Sequence, residues 1–413
     1  MATACIAQSV LPVHGISKPI IARFDRPPHH RSANRRAGAG DSRGSSPWRP
    51  GRSGGSRRDC TGRLLGRKGP ESDTGSRERR RRLTVKPTSF RFPSMPSWLS
   101  RPVLARLSLA TLLVLVSQGL ALGAELHLRE TLLQAQRDRV TATITAVVDH
   151  IGDDAHILSE DCDLHVPLRS RDIRVPFIGE LKNACSERPP GTTLAFWSER
   201  IYDETHGLAV SVTGAFRIWL EHPPAGNAIQ TEGARVPWYR DSNPDHQVEL
   251  HPLVQVGTLD FRAHIKRIQQ GNNVFTGFGP AQLSTILNKT LTIQRITIQG
   301  ESHVRIRGTK TGNNHWNLRA RIAGAPEALA DGTRVRLDIL DGNQVVPGAL
   351  GLRAVTITGT GADTQLQAMA SGDLVRFQAL IRMHLPSLLD PLSTTAQTIA
   401  LPVEFVLLHL EAN

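Results

Sequence analysis

Two short strings carry most of the chemistry this sequence could perform. One is Glu249-Leu-His251-Pro252, and the other is Asp161-Cys-Asp-Leu-His165. In a strand, side chains two residues apart share a face, so Glu249 and His251 stand side by side. A carboxylate beside an imidazole is either an acid–base pair or two ligands for a divalent metal. If strand order brings His165 to them, the three form a 2-His-1-carboxylate set. The bland alternative is that Glu249 accepts backbone N–H groups and His251-Pro252 ends a strand. His246 is expected on the opposite face and is left out of the set. G-x-S-x-G, P-loop and H-E-x-x-H strings do not occur.

A second group is basic. Arg305 and Arg307 share one face of a predicted strand, and Arg319 and Arg321 share one on the next. If these strands pair across the 311–314 turn, four guanidiniums line one sheet and suit a polyanion, whether nucleic acid or surface polysaccharide. The alternative is a solvated face answered by Glu301, Asp338 and Asp373.

These residues need a scaffold, and the strand signals supply one. Alternation of Val140, Ala142, Ile144, Ala146 and Val148 reads as a half-buried strand. Leu208 to Leu220 alternates likewise, with a bend expected at Gly214. Ile157–Leu168 is a further strand, Leu126–Arg137 has a weak helical pattern, and Val175–Cys185 reads as a short helix. Pro252 places the Val248/Leu250 strand at an edge or an end. Beyond Gln269–Asn273, seven short strands follow at about 12-residue spacing. Turn signals such as Asp331-Gly332 and Asp341-Gly-Asn343 divide them. No internal repeat stands out.

The succession Asp161-x-Asp163-x-His165, Cys185, Val212-Thr-Gly214 and Glu249-Leu-His-Pro252 resembles a family of uncharacterised secreted bacterial proteins with an OB-like domain. The resemblance covers about 120 residues. Cys162 stands where that family has glycine, and Asn183 where it has proline. It implies a fold and a compartment, not a reaction. The fold class expected is therefore mainly β: an OB-like small barrel over 125–268, then a β-sandwich or barrel over 269–413.

The front of the chain is different. The chain has 413 residues and a formal net charge of +13, yet residues 1–94 alone hold 21 Lys+Arg against 6 Asp+Glu. That Arg-, Gly- and Ser-rich stretch has no apolar period and reads as a disordered basic segment. The three readings of it are an over-extended start, with Met95 the working one, an arm for acidic surfaces, and a transit peptide. From Met95, Arg101 and Arg106 precede the apolar run Leu107–Val116 and the small-residue exit Ala121–Ala124, the order of a cleaved export signal over 95–124. A retained single-pass anchor is the alternative, and would be the route to a membrane. Exported, the chain keeps two cysteines, Cys162 and Cys185, which either form one disulfide, as the compartment allows, or stand as two unrelated buried thiols.

The functional expectation is an exported, periplasmic or secreted binding protein of the cell envelope, without catalysis. Its partner would be an envelope component or a polyanion. The mature chain's net negative charge disfavours nucleic acid. The alternative is a metal-dependent, nuclease-like hydrolase on His165, Glu249 and His251.

Overall fold

The computed structural model describes residues 123–149, 155, 160–225, 229–233, 242–312 and 314–412. The basic segment 1–94 and nearly all of the 95–124 segment expected to be an export signal lie outside them. The described chain is mainly β. No described helix is long and apolar enough to cross a membrane.

Strand β1 (Gly123–Arg129) and helix α1 (Glu130–Gln136) lead into β2 (Thr141–Val148), β3 (Leu164–Ser170) and β4 (Phe177–Leu181). Helix α2 (Phe196–Thr205) then crosses to β5 (Ala209–His222), β6 (Ile229–Thr231), β7 (His246–Val256) and β8 (Leu259–Asp260). Strands β2, β3, β4, β7 and β5 close a ring, because β4 pairs with β7 as well as with β3. All ring pairings are antiparallel except β4 with β7. That order, with a helix between the third and fourth strands, is the five-stranded Greek-key barrel of an OB fold.

A hairpin of β9 (Gln269–Gln270) and β10 (Asn273–Val274) leads to α3 (Pro280–Leu287), β11 (Thr290–Ile298) and β12 (Glu301–Thr309). Pro280 opens α3, and Gly279 N–H donates to Gln282 Oε1 at 3.2 Å. Strands β13 (His315–Ile322), β14 (Glu327–Leu329), β15 (Gly332–Asp341), β16 (Gln344–Val345) and β17 (Leu352–Ile357) follow. Then come α4 (Gly361–Gln367), β18 (Leu374–Met383), α5 (Leu385–Leu389), β19 (Gln397–Ala400) and β20 (Val403–Ala412). Strands β13, β15, β17, β20 and β18 close a second ring, its only parallel step being β17 with β20. The topology repeats the first ring strand for strand, and α4 occupies the place of α2. Of the two architectures expected after residue 269, the structure has the barrel.

The duplication is also visible in sequence once the strands are superposed. Phe216-Arg-Ile-Trp-Leu220 in β5 answers Ile381-Arg-Met-His-Leu385 at the end of β18. Val248-Glu-Leu250 answers Val403-Glu-Phe405. The expectation of no repeat is thus corrected: the match is two short strings, 165 and 155 residues apart, too brief to stand out without the register.

The barrels meet through these strings. Arg217 Nε donates to Ile381 O at 2.8 Å, and Arg382 Nη1 donates to Phe216 O at 3.0 Å. Each contact is the other with the barrels exchanged, the pattern of a two-fold interface within one chain. Strand β1 also crosses the sequence boundary near 269. It pairs antiparallel with β12 and parallel with β6, in a sheet completed by β11 and β19.

Several local expectations change. The helical pattern expected over Leu126–Arg137 is met by α1 from Glu130 to Gln136, while its first residues, 126–129, belong to strand β1. Residues 177–181 are β4 rather than a helix, and every one of them is buried. Burial of both faces removes the period-two contrast that marks a strand. Strand β7 is a central member of the ring, not an edge. Its Pro252 lies where the β5–β7 register slips between Gly214 and Phe216, so no ladder bond is asked of it.

Candidate functional site

Glu249 and His251 do share a face, as their spacing requires: Glu249 Oε2 lies 3.2 Å from His251 Nδ1. The face is the outer wall of the first barrel, and it is sealed. Glu249, His251, Glu180, Lys182, Asp163 and Arg217 are all between 0% and 3% exposed.

His165 does not join Glu249 and His251. Strand β4 lies between β3 and β7 in the ring, so His165 faces Glu180 across the β3–β4 register, with Nε2 to Oε1 at 3.8 Å. Glu180 supplies what the sequence reading assigned to His165, standing 3.0 Å from His251 Nδ1. His246, left out of the set, belongs to it: its Nε2 is 3.3 Å from Glu249 Oε1. The register shift between Ile218/Val248 and His222/His246 breaks the alternation on which the exclusion rested.

The cluster reads as a chain of opposite charges. His251 Nε2 lies 3.3 Å from Asp163 Oδ2, so carboxylates stand at both of its ring nitrogens. Burial alone would lower the His251 pKa; Glu180 and the bonds to Asp163, Glu180 and Glu249 reverse this and hold it well above the ordinary histidine value. His246 is raised too, its burial outweighed by Glu249. Burial opposes ionisation of Glu180 and Glu249, yet His251 in one case and Arg217 in the other keep both below the usual carboxylate range. Glu221, for which burial wins, is raised.

Two further cations complete the chain. Arg217 Nη1 donates to Glu249 Oε2, and its Nη2 lies 3.4 Å from Glu221. Lys182 Nζ donates to Asp163 at 2.6 Å and lies 2.5 Å from Nε2 of His315, which reaches in from β13 of the second barrel. Burial, then Lys182 and His251, push His315 well below its ordinary value, so it is neutral and accepts from the lysine. Burial and the neighbouring His246 lower His222 to about 4.

Two triads have ligand atoms within 4.8 Å of one another: Asp163–His251–His315 and Glu180–Glu249–His251. Lys182 holds both Asp163 and His315 in the first, and Arg217 holds Glu249 in the second. Those are places a divalent metal would take. The feature in favour of a metal is that His251 Nε2, His246 Nε2 and Glu249 Oε1 make ion-pair contacts without a directed hydrogen bond.

Cys162 and Cys185 form a disulfide, with Cα atoms 5.4 Å apart. Cys162 has φ 64°, the left-handed region that glycine favours, at the position where the resembled string has glycine. Asn183 has φ 54°, which proline cannot adopt.

The four arginines separate. Strand β12 pairs with β1 and β11, not with β13, so Arg305 and Arg307 lie in a different sheet from Arg319 and Arg321. Arg305 Nε lies 2.8 Å and Arg307 Nε 3.7 Å from Glu125. Arg319 bonds Gly342 O at 3.1 Å, and Arg321 faces Asp338 across the ladder. Strands β12 and β13 belong to different sheets and form no hairpin, which is why the expected four-arginine surface does not form.

No protein-family model matches this chain, and no curated protein does. Residue geometry therefore carries the functional argument.

Proposed function

We propose that this chain is an exported, non-catalytic binding module of the cell envelope, built on two interlocked OB-like barrels. One observation carries the proposal. The residues best suited to chemistry neutralise one another inside the barrel interface, with carboxylates at both nitrogens of His251 and cations of the chain itself on the partner carboxylates. A general base needs access to the proton it takes, and His251 is 0% exposed. In this reading the cluster orients the second barrel on the first, and binding belongs to exposed barrel walls. The export signal and the resemblance to a secreted family support the compartment.

The second reading is a metal-dependent, nuclease-like hydrolase, now centred on Glu180, Glu249 and His251 rather than on His165. The two triads and the undirected nitrogens favour it. Metal analysis of the purified chain separates the readings. The first expects no bound transition metal, and a His251→Gln variant that loses stability. One equivalent of zinc or manganese, removed by His251→Gln together with hydrolysis of a phosphodiester, would establish the second.

A further inference from the structure

The two barrels carry equivalent outer walls, and the sequence fills them differently. Counting from the paired glutamates, β4 places Ile178 opposite Glu249, and β17 places Arg353 opposite Glu404. Val355 of the second wall therefore stands where Glu180 stands in the first. By the same register Arg334 answers His165, and Arg336 answers Pro167. The second wall has lost a carboxylate and gained three arginines.

Arg336 and Arg353 lie directly opposite each other in the antiparallel pair of β15 and β17. Like charges so placed destabilise a sheet unless an anion answers them. Among the described residues neither guanidinium forms an ion pair. Glu404 is already engaged, because Arg382 Nε donates to it at 2.8 Å while Arg382 Nη1 donates to Val140 O and Phe216 O. Beside Arg334 a small cleft opens, with Asp138, Arg139, Val355, His384, Leu385 and Glu404 in its lining. Arg139 is half exposed and lies 3.6 Å from Asp331, a contact too long for a hydrogen bond. Arg334 shares one nitrogen with the exposed Glu327.

The geometry points to this wall, Arg334, Arg336 and Arg353 with Arg139 at the cleft, as a binding site for an anionic polysaccharide, whose oxyanion groups supply the negative charge that Glu180 supplies in the first barrel. The site deepens the binding-module reading and rests on it. The cleft offers aliphatic side chains, Leu329, Val355 and Leu385, and its one ring, the His384 imidazole, is 5% exposed and bonded to Ser387, so it offers no free face for a base to stack on. That favours a sugar polymer over single-stranded nucleic acid.

The test uses the purified full chain and four probes: dextran sulfate, polygalacturonate, uncharged dextran and an oligothymidylate. Arg336→Ser with Arg353→Ser should weaken binding of the sulfated or the carboxylated polymer about tenfold at about 0.15 M salt. Arg307→Ser, in the other sheet, should change it less than about twofold by the same reasoning. The two charged polymers distinguish sulfate from carboxylate as the source of the oxyanion. The basic segment 1–94 is present in every variant, so affinity left unchanged by the double substitution would belong to that segment and overturn the proposal. Oligothymidylate binding as tightly, and weakening as much, would overturn the assignment to polysaccharide. Arg336→Ser alone serves if the double variant does not fold, and should give part of the loss. Shortening of the probe or bound metal would instead refute the non-catalytic reading and leave the difference in affinity standing.

Discussion

The outer wall of the first barrel and that of the second share a strand order, an Arg–Glu pair and a reciprocal bond to the other barrel, but they meet different fates. The first places His165, Glu180, Glu249 and Arg217 where the second places Arg334, Val355, Glu404 and Arg382. In the first wall the charges are numerous, alternate in sign and are wholly covered. In the second a single Arg382–Glu404 pair is covered, at 6% and 4% exposure, while the remaining arginines reach solvent. Duplicated barrels thus use one wall to lock the pair together and leave the other open. A buried charge needs its partner, whereas an exposed one is free to find a new one.

The sharpest way to break this comparison is to remove one carboxylate from each wall. Glu249→Gln leaves Arg217, His246 and His251 facing a neutral amide in a sealed site. Stripping one member of a buried charge cluster costs about 3–5 kcal/mol. Glu404→Gln should cost less, about 1–3 kcal/mol, because Arg382 keeps its bonds to Val140 O and Phe216 O. Urea unfolding of both variants checks the order, and equal losses would show that the walls do not differ as described.

Much of this was legible in the sequence, and the failures share a cause. Strand β2 was placed within a few residues by alternation, and β11 and β13 by the regular spacing of strands and turn signals. The pairing of Glu249 with His251 followed from spacing alone. Strand β4 and the partnership of Glu180 did not, because a strand buried on both faces has no period to read. His246 was misplaced by a register slip, and Arg305 was grouped with Arg319 by a hairpin that does not exist. Both are long-range facts of ring closure. The repeat was hidden because what the barrels share is an Arg, a Glu and their strand order, not a continuous string.

The disulfide gives the next test. Closing a loop of 23 residues removes about 3 kcal/mol of unfolded-state freedom on the chain-entropy model. Cys185→Ser should therefore lower the melting temperature. The reciprocal Arg217 and Arg382 bonds tie the barrels together, so one transition should shift, not two. Calorimetry showing the second barrel melting unchanged would break the interlock.

Acid should also act mainly through the first wall. His315 has a folded pKa well below 6.5, so the unfolded chain takes up its proton first. Its stabilisation is present above about pH 6.5 and is lost as the pH falls from there. Glu180 and Glu249 are depressed as well, adding a loss below about pH 4.5. His251 and His246 are raised, so their contribution is fully present below about 6.5 and is lost only as pH rises through their folded values. In the second barrel burial lowers His384 to about 4, which makes one site acid-labile over the same range. Urea midpoints measured from pH 7 to 4 should fall, and His315→Gln should flatten the fall between 6.5 and 4.5 more than His384→Gln does.

The smallest effect separates the two barrel helices. Helix α4 begins at Thr360, whose hydroxyl accepts from Asp363 N–H at 3.3 Å and donates to Ile357 O at 2.8 Å. Helix α2 begins at Ala195, which offers no side-chain cap. Its place is held instead by Trp197, whose Nε1 donates to Glu187 O and whose ring meets Phe261 and His264 edge-on. A threonine cap replaced by alanine costs about 1 kcal/mol. Thr360→Ala should show that loss in urea, whereas Ala195→Gly removes no cap and should show no measurable loss. The difference arises because α4 depends on its cap while α2 is fastened by an aromatic side chain. If Ala195→Gly costs as much as Thr360→Ala, the anchoring assigned to Trp197 is wrong and the first-barrel helix is held at its N-terminus like the second.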